Sequence, residues 1–358
     1  MVVWIQNPFD NLPGEGFRKM RYSHMACAFA ELGHDVTVWT SDFSHARKCR
    51  REIAEPAIDP RVKVRLIPTM PYARNVSFKR VLSHVLYART WIKQARKEAA
   101  LSGKPSIIIT SFPTISAAAS VMRFARSVGA KVVVDIQDAW PQTFERVFPG
   151  YALKPLRSWA KKIFREADLV TGVCERYRSL TGRSDYYKAY LGIEVDNEED
   201  KIVKSVRSNS KIAYIGGTGV TYDLSTAARA ADKLGMKLVV AGGKNPLGRD
   251  ELEAMLLSCD VGLIPMNDDA WVGIPNKMFD YAKADLPIVS SLGGESRELI
   301  GKYKCGATFT SGDADSLAEA VNAALKTERG ASFKLCKIEF DAKKIYAAYA
   351  EKVLSSCS

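Results

Sequence analysis

Histidine is scarce in this chain: four among 358 residues, all before Lys97. Chemistry that relies on several histidines therefore has little material beyond that point. Seven cysteines are scattered, odd in number and without a C-x-x-C pair, which excludes a disulfide framework and gives no support to a zinc site. Reduced thiols in a cytoplasmic protein are the expectation. No stretch approaches the ~20 apolar residues of a membrane span. The opening residues MVVWIQNPFD carry neither a basic leader nor a long apolar core, so no signal peptide is read there. Repeats and low-complexity tracts are also missing.

What is present is ordinary globular material with a basic bias. Apolar residues make up 47% and charged residues 26%, with a formal net charge of +12 and a pI near 9.3. The length suggests two domains, each with its own core. The charge favours anionic partners: nucleotide phosphates, an acidic membrane surface or nucleic acid.

Val2 to Gln6 reads as a buried strand before a loop rich in Asn, Pro and Gly. Arg21 to Leu32 has helical spacing, with Tyr22, Met25, Ala26, Phe29 and Leu32 on one face and Gly33 as terminator. Asp35 to Thr40 is β-branched and alternating, a second strand. This βαβ unit implies a parallel sheet. Its first loop holds Gly14 and Gly16, which would let backbone approach a ligand beside a helix start, although G-x-G alone is equally a plain turn. His45, past the second strand, is placed to meet a substrate or to be merely structural. Tyr72 to Lys97 interleaves large apolar and cationic side chains over two expected helices. Such a stretch can lie on an anionic bilayer or be a core helix with a solvated basic face. Strands at Ser106–Ser111 and Lys131–Asp135 continue the rhythm. Asp138, just past the latter, could orient or deprotonate an acceptor, or cap the next turn.

A polar segment from Ile193 to Ser210 reads as a connection, after which the pattern restarts. Strand Lys211–Ile215 leads to Gly216-Gly217-Thr218-Gly219, then a helix, then strand Lys237–Ala241 and Gly242-Gly243-Lys244. The organisation is therefore α/β, with two Rossmann-like βαβ domains in tandem and a cleft implied between them: 1–192, 193–335, and a final helical segment 336–358 returning to the first. Within WVGIPNKMFDYAKADLPIVSS (Trp271–Ser291), Pro275, Asn276 and Lys277 open a short helix. Lys277 and Asp280 are three apart and share a helix side. A cation and a carboxylate at a helix start suit a diphosphate and a ribose, or form a surface ion pair.

With these pieces in order, the chain resembles the GT-B glycosyltransferases, in the group of retaining bacterial enzymes that build O-antigen, capsule and related surface polysaccharides. The likeness is carried by RYSHMACAFAELGHDVTVWTSDFSH, DIQDAWP, YIGGTGVTYDLSTAARA and IPNKMFDYAKADLPIVSS followed by GGESRELI. It implies a nucleotide-sugar donor, UDP-linked, bound by Gly14, Gly16, Gly217, Thr218, Gly242, Pro275, Asn276, Lys277 and Asp280. It implies a lipid-linked or other saccharide acceptor on the side of Asp138, where His45 is the further candidate by its place past the second strand, with Asp138 and Lys277 the candidates for the chemistry. No cofactor and no obligatory metal are expected, since no D-x-D element falls in the loops read as lining the cleft. The expected setting is the cytoplasm, at the inner face of the membrane, through Tyr72–Lys97. The chain departs from the family pattern at Val272, where a first acidic residue is usual, and at Gln137 and Ala139, where Arg and Leu are usual. An epimerase of the same fold would use the same domains but wants more acid–base groups than the histidines provide. A non-catalytic nucleotide-sugar or nucleic-acid binder is the other alternative. Nucleic acid is not expected as a partner, because both sheets read as buried between helices.

Overall fold

The computed structural model describes residues 1–15, 19–52, 58–75, 77–145, 148–195, 210–219, 221–243, 247–267 and 271–357. Gly16, Lys244 and most of the connection expected at 193–210 lie outside the described residues. The chain divides into two compact units, Met1–Ala189 with Lys343–Ser358, and Tyr190–Ala342.

The first unit is built on a parallel sheet of seven strands. They are β1 (Val2–Gln6), β2 (Asp35–Ser41), β5 (Val62–Ile67), β6 (Ile107–Phe112), β7 (Lys131–Ile136), β8 (Leu169–Gly172) and β9 (Tyr187–Lys188). A small antiparallel hairpin, β3 (Phe43–Ser44) with β4 (Cys49–Arg50), follows β2. The sheet order is β5-β2-β1-β6-β7-β8-β9, so the winding direction reverses between β1 and β6. Ligands of open α/β sheets bind at such a reversal, beyond the carboxyl ends of the strands. The central strands β1, β6 and β7 are buried almost throughout, as in a parallel sheet covered on both faces, whereas the edge strand β5 alternates and exposes Lys63. One face is sealed by an aromatic cluster: Trp4 stacks on Phe124 at 5.6 Å, Trp91 meets Phe124 edge-on, and Trp39 lies 5.1 Å from Trp4.

Where two helices were expected over Tyr72–Lys97, a single helix runs from Phe78 to Ser102. Ser77 caps it by accepting from the Arg80 N–H, and no breaker interrupts it before Gly103. Its buried stripe, His84, Tyr87, Ala88, Trp91 and Ala95, has helical spacing, so this face is core. Lys79, Arg89, Lys93, Arg96 and Lys97 are exposed, and so are Phe78, Val81 and Leu82 at its start.

A buried ionic network ties the last helix, Ala342–Cys357, to this unit. The guanidinium of Arg21 grips both oxygens of Asp135 at 2.8 and 2.7 Å and donates to the carbonyl of Ala189 at 2.8 Å. Tyr22 and Thr171 donate their hydroxyls to the same carboxylate. The rings of Tyr346 and Tyr349 each lie 5.6 Å from the guanidinium, and His24 stacks on Tyr346.

The second unit has five parallel strands: β10 (Lys211–Ile215), β11 (Lys237–Ala241), β12 (Val261–Ile264), β13 (Ile288–Ser290) and β14 (Gly306–Thr308). Their order, β11-β10-β12-β13-β14, reverses between β10 and β12. Its core joins Ile212, Val261, Leu263 and Val289 to Leu317 and Val321 of the Ala314–Ala324 helix. Two helices not read from the sequence, Arg249–Leu257 and Ala331–Glu339, belong here. The returning segment therefore begins at Lys343 and not at 336. Asp285 accepts from the Gly330 and Phe333 N–H groups, and Phe340 packs on Phe279 at 4.5 Å, which holds the preceding helix to the second unit.

Candidate functional site

In the second unit the conspicuous group is Lys277. It lies in the first turn of the Asn276–Lys283 helix, with Pro275 at the N-cap. Pro275 cannot donate a backbone N–H and favours a helix start. Met278, Phe279, Tyr281 and Ala282 bury the helix, and the Tyr281 hydroxyl accepts from the Ile215 N–H. That anchoring turns Lys277 inward, so that it is only 5% exposed. Its ammonium sits between two tyrosine rings, 4.1 Å from the centre of Tyr214 and 3.9 Å from that of Tyr222. Cation–π attraction holds the charge there. No hydrogen-bond acceptor reaches Nζ. Burial pushes this lysine down to about 7.

The glycine turn 216–219 lies directly beside it. A Cβ on Gly216 would come within 3.6 Å of Lys277 Nζ, and the backbone there has φ +119°. Gly242, after β11, presses on the same turn: a Cβ would meet the Gly216 carbonyl at 2.6 Å. Glycine is thus required at 242 by backbone crossing. Gly217 and Thr218 are exposed at the tip, and the Tyr214 hydroxyl donates to the Gly217 carbonyl. The turn follows β10 and Lys277 follows β12, the two strands flanking the reversal. Asp280, one turn on, is half-buried. Together this is a glycine turn with an unsatisfied cation behind it, an arrangement fit for a phosphate.

In the first unit a second constellation gathers at the β1/β6 reversal. Gly14 is exposed, with φ +88°, in the loop after β1. That loop is fastened by the buried ion pair of Glu15 with Arg51 and by Asn7, whose side chain accepts from the Phe9 N–H. His45 Nδ1 lies 2.5 Å from the Tyr72 hydroxyl and 3.1 Å from Lys48 Nζ. Burial, then Lys48 and Arg80, lower His45 to about 4, so it is a neutral imidazole at pH 7. His84 is lowered to about 3 by burial, Arg80 and His45. Arg80 is stationed over the rings of Phe9, Tyr72 and Trp140 at 5.6, 5.9 and 5.3 Å. A small cavity behind Phe9, Tyr72 and His84 is floored by Ser41, Ser83, Thr69 and Thr114. Asp138 is open to water on one side while protein crowds it on others. The crowding raises its carboxyl above the usual range and Arg80 pulls it down. The turn after it, Gln142–Phe144, has Pro141 at its N-cap and no side-chain cap.

The sequence reading thus meets its residues in two separate places. Lys277, Gly217, Thr218, Gly242, Pro275, Asn276 and Asp280 share one corner of the second unit. His45, Asp138 and Gly14 belong to the first. The tyrosines around Lys277 and the part of Arg80 and His84 in a polar cluster escaped that reading. Tyr214 alternates as a strand residue should, and nothing in its spacing marks its ring as a lid. Among the described residues no group of three or more His, Cys, Asp or Glu is placed to hold a metal ion.

Comparison with known proteins points one way. Residues 20–189 match the family model described as a glycosyl transferase 4-like domain, and residues 199–327 match that of glycosyl transferases group 1. No curated protein matches the chain. Among solved structures, sucrose-phosphate synthase from Thermosynechococcus elongatus superposes with a TM-score of 0.71 at 10% identity, over 100% of both chains. The catalytic domain of starch synthase IV from Arabidopsis thaliana, bound to ADP and acarbose, gives 0.66 at 13% identity over 99% of each chain. Anabaena HepE in complex with UDP gives 0.63 at 13% identity, again over 99% of each.

Proposed function

Since this chain belongs to the GT-B glycosyltransferases, we propose that it moves a sugar from a nucleotide-sugar donor, UDP-linked, to a lipid-linked saccharide in surface-polysaccharide synthesis. The observation that carries the donor half is Lys277, a buried ammonium without a hydrogen-bond acceptor beside the 216–219 turn. An anionic diphosphate is the partner that would complete it, with Asp280 on the ribose. The nucleotides held by similar structures, UDP in HepE and ADP in starch synthase IV, support the same reading.

Catalysis on this reading is charge stabilisation of the departing diphosphate by Lys277 and the glycine-turn amides. Asp138, on the acceptor unit, orients or deprotonates the attacking hydroxyl. His45, neutral at pH 7, serves as a hydrogen-bonding group beside the acceptor and not as a charge. Retention of configuration follows from the family resemblance. No metal is assigned a role.

Among the described residues no helix is long and apolar enough to cross a membrane. Contact with the inner membrane face is proposed instead through the start of the Phe78–Ser102 helix, where Phe78, Val81 and Leu82 are exposed beside Lys79.

Incubation with a panel of nucleotide sugars, with and without membrane lipid extract, tests the reading. Free nucleotide should accumulate with one UDP-sugar and rise when extract is added. Absence of both nucleotide release and nucleotide binding would sink it. Charge reversal at Lys79 and Arg89 should abolish sedimentation with anionic vesicles; persistence would leave this surface a solvated helix face.

A further inference from the structure

We propose that Lys48, Tyr72 and Arg80 are positioning residues that lock His45 and His84 each into one neutral tautomer. Nε2–H of His45 and Nδ1–H of His84 then donate hydrogen bonds to hydroxyl oxygens of the acceptor, and neither imidazole acts as its base. The acceptor role rests on the transferase reading above; the tautomers do not.

An ammonium and a guanidinium can only donate, because neither has a lone pair to offer. Nδ1 of His45 lies 3.1 Å from Lys48 Nζ and 2.5 Å from the Tyr72 hydroxyl. With the ammonium as donor, Nδ1 is the acceptor, and the proton of the neutral ring is on Nε2. The tyrosine hydroxyl donates to the same lone pair. His84 has the opposite arrangement: Arg80 Nε donates to its Nε2 at 3.4 Å, so the ring proton is on Nδ1. Each imidazole has committed its one lone pair to a cation and has none left for the proton of an attacking hydroxyl. The N–H groups opposite, Nε2 of His45 and Nδ1 of His84, make no hydrogen bond to another described residue.

The lock is built from fixed parts. Lys48 has a left-handed backbone, φ +59°, uncommon for a residue with a side chain. Its N–H bonds back to the Ser44 carbonyl at 2.8 Å and closes the hairpin across which Nζ meets His45. Arg80 and His84 are four apart on the Phe78–Ser102 helix and so are neighbours on one face. Phe9 packs against both imidazoles, with ring centres 5.1 Å from His45 and 5.4 Å from His84, and Tyr72 stands edge-on to His84 at 6.3 Å. Neither imidazole turns over without displacing Phe9.

The titratable and charged groups facing the pair are Lys48, Tyr72 and Arg80, and the two imidazoles face each other across Phe9; Asp138 is felt through Arg80. Burial first, and the nearby cations second, hold His45 at about 4 and His84 at about 3. Both rings are then neutral where an unperturbed histidine titrates. The hydroxyl residues Ser41, Thr69, Ser83 and Thr114 line the cavity beside His84. Two neutral N–H donors among hydroxyls suit the oxygen-rich edge of a sugar, and the proton of its attacking hydroxyl is left to Asp138.

Long-range proton–nitrogen correlation spectra of the full chain, labelled with 15N-histidine, test this directly. The chain has four histidines, few enough to assign with single His→Gln variants. His45 should show the Nε2–H pattern and His84 the Nδ1–H pattern, both unchanged between about pH 5.5 and 7.5. Lys48→Met combined with Tyr72→Phe should let His45 populate both tautomers and should raise its titration, since a nearby cation is gone. Arg80→Met should do the same for His84; if that variant does not fold, the wild-type pattern of His84 decides for that ring. A wild-type His45 protonated on Nδ1, a His84 protonated on Nε2, or either ring titrating near about pH 6.5 overturns the proposal. The acceptor role is read from nucleotide release with lipid extract. His45→Ala should act through the KM for extract more than through kcat, raising it roughly threefold to tenfold, the scale of one hydrogen bond. His45→Gln, which restores an N–H donor and no base, should recover part of that loss. A collapse of kcat in both variants would make His45 a base and defeat the proposal. A wild-type protein that shows the expected tautomers but neither releases nucleotide nor binds UDP removes the transferase reading, and the acceptor role with it, while the tautomer lock stands.

Discussion

Arg21 and Lys277 are both cations withdrawn from water, one in each unit, and the protein treats them in opposite ways. Burial disfavours the charge on Arg21, yet Asp135 more than offsets this and lifts its pKa well above the usual arginine value. The guanidinium is fully occupied: two carboxylate oxygens, a carbonyl and two tyrosine rings. Lys277 has two tyrosine rings and no oxygen. A buried charge with all its partners is architecture; its removal leaves a stranded counter-charge. A buried charge lacking an acceptor is a vacancy kept at a cost, and a folded chain tolerates it where a ligand supplies the missing oxygens.

The contrast can be broken most forcefully at the satisfied pair. Asp135→Ala should destabilise the fold by about 3–5 kcal/mol, because Arg21 stays buried and unpaired. Lys277→Met should cost under about 1 kcal/mol, since the substitution keeps apolar volume and removes an unpartnered charge. Urea unfolding of both variants checks this, and equal losses would erase the distinction.

Binding reverses the ranking. Lys277→Met should weaken UDP roughly 10- to 100-fold, the value of a charge-assisted hydrogen bond to phosphate. Equilibrium dialysis with labelled UDP would show it, and unchanged affinity would remove Lys277 from the donor site.

The pH dependence sharpens the same point. Free Lys277 has its pKa lowered to about 7, while a bound diphosphate favours the charged form and raises it. Binding above pH 7 must then take up a proton. Affinity for UDP should fall between pH 7 and 9, by up to about tenfold per unit, and the Lys277→Met protein should show a flatter profile. The smallest effect is expected for Tyr222→Leu. Losing one ring forfeits about 0.5–2 kcal/mol of cation–π attraction that favours the ammonium while leucine keeps the site apolar, which moves the descending limb of that profile to lower pH. An unmoved limb would show that Tyr222 does not set the lysine's environment.

Much of the fold is legible in the sequence because parallel strands buried on both faces announce themselves as apolar runs, and glycine turns punctuate them. SIIITS and KVVVD leave few alternatives. The donor corner is partly legible for a local reason: Pro275, Lys277 and Asp280 lie within six residues. The rest is convergence over distance. Arg21 and Asp135 are 114 positions apart, and only the pairing of β1, β6 and β7 brings them together. Asp135 reads as the last residue of a strand, and Asp138, three further on, draws the functional reading because it follows the strand. The Arg80 cluster draws on Phe9, Lys48, Tyr72 and Trp140, from four loops. In sequence, Arg80 is one of several basic residues on a helix and carries no mark of its own. Continuity misled the reading between Tyr72 and Lys97, where an uninterrupted mixture of apolar and basic residues looked like two helices and is one.

The return of residues 343–357 to the first unit has a consequence for how the protein is made. Tyr346 and Tyr349 are 1% and 0% exposed and help enclose Arg21, so the first unit cannot close its own interior from residues 1–189 alone. On the ribosome, residues 1–189 emerge early and wait while the second unit is synthesised. Until then Arg21 has Asp135 and the Ala189 carbonyl but lacks the two tyrosine rings that cover it. An expression clone cut at Ala189 would leave that face bare, whereas one that splices 343–358 after a short linker would restore it.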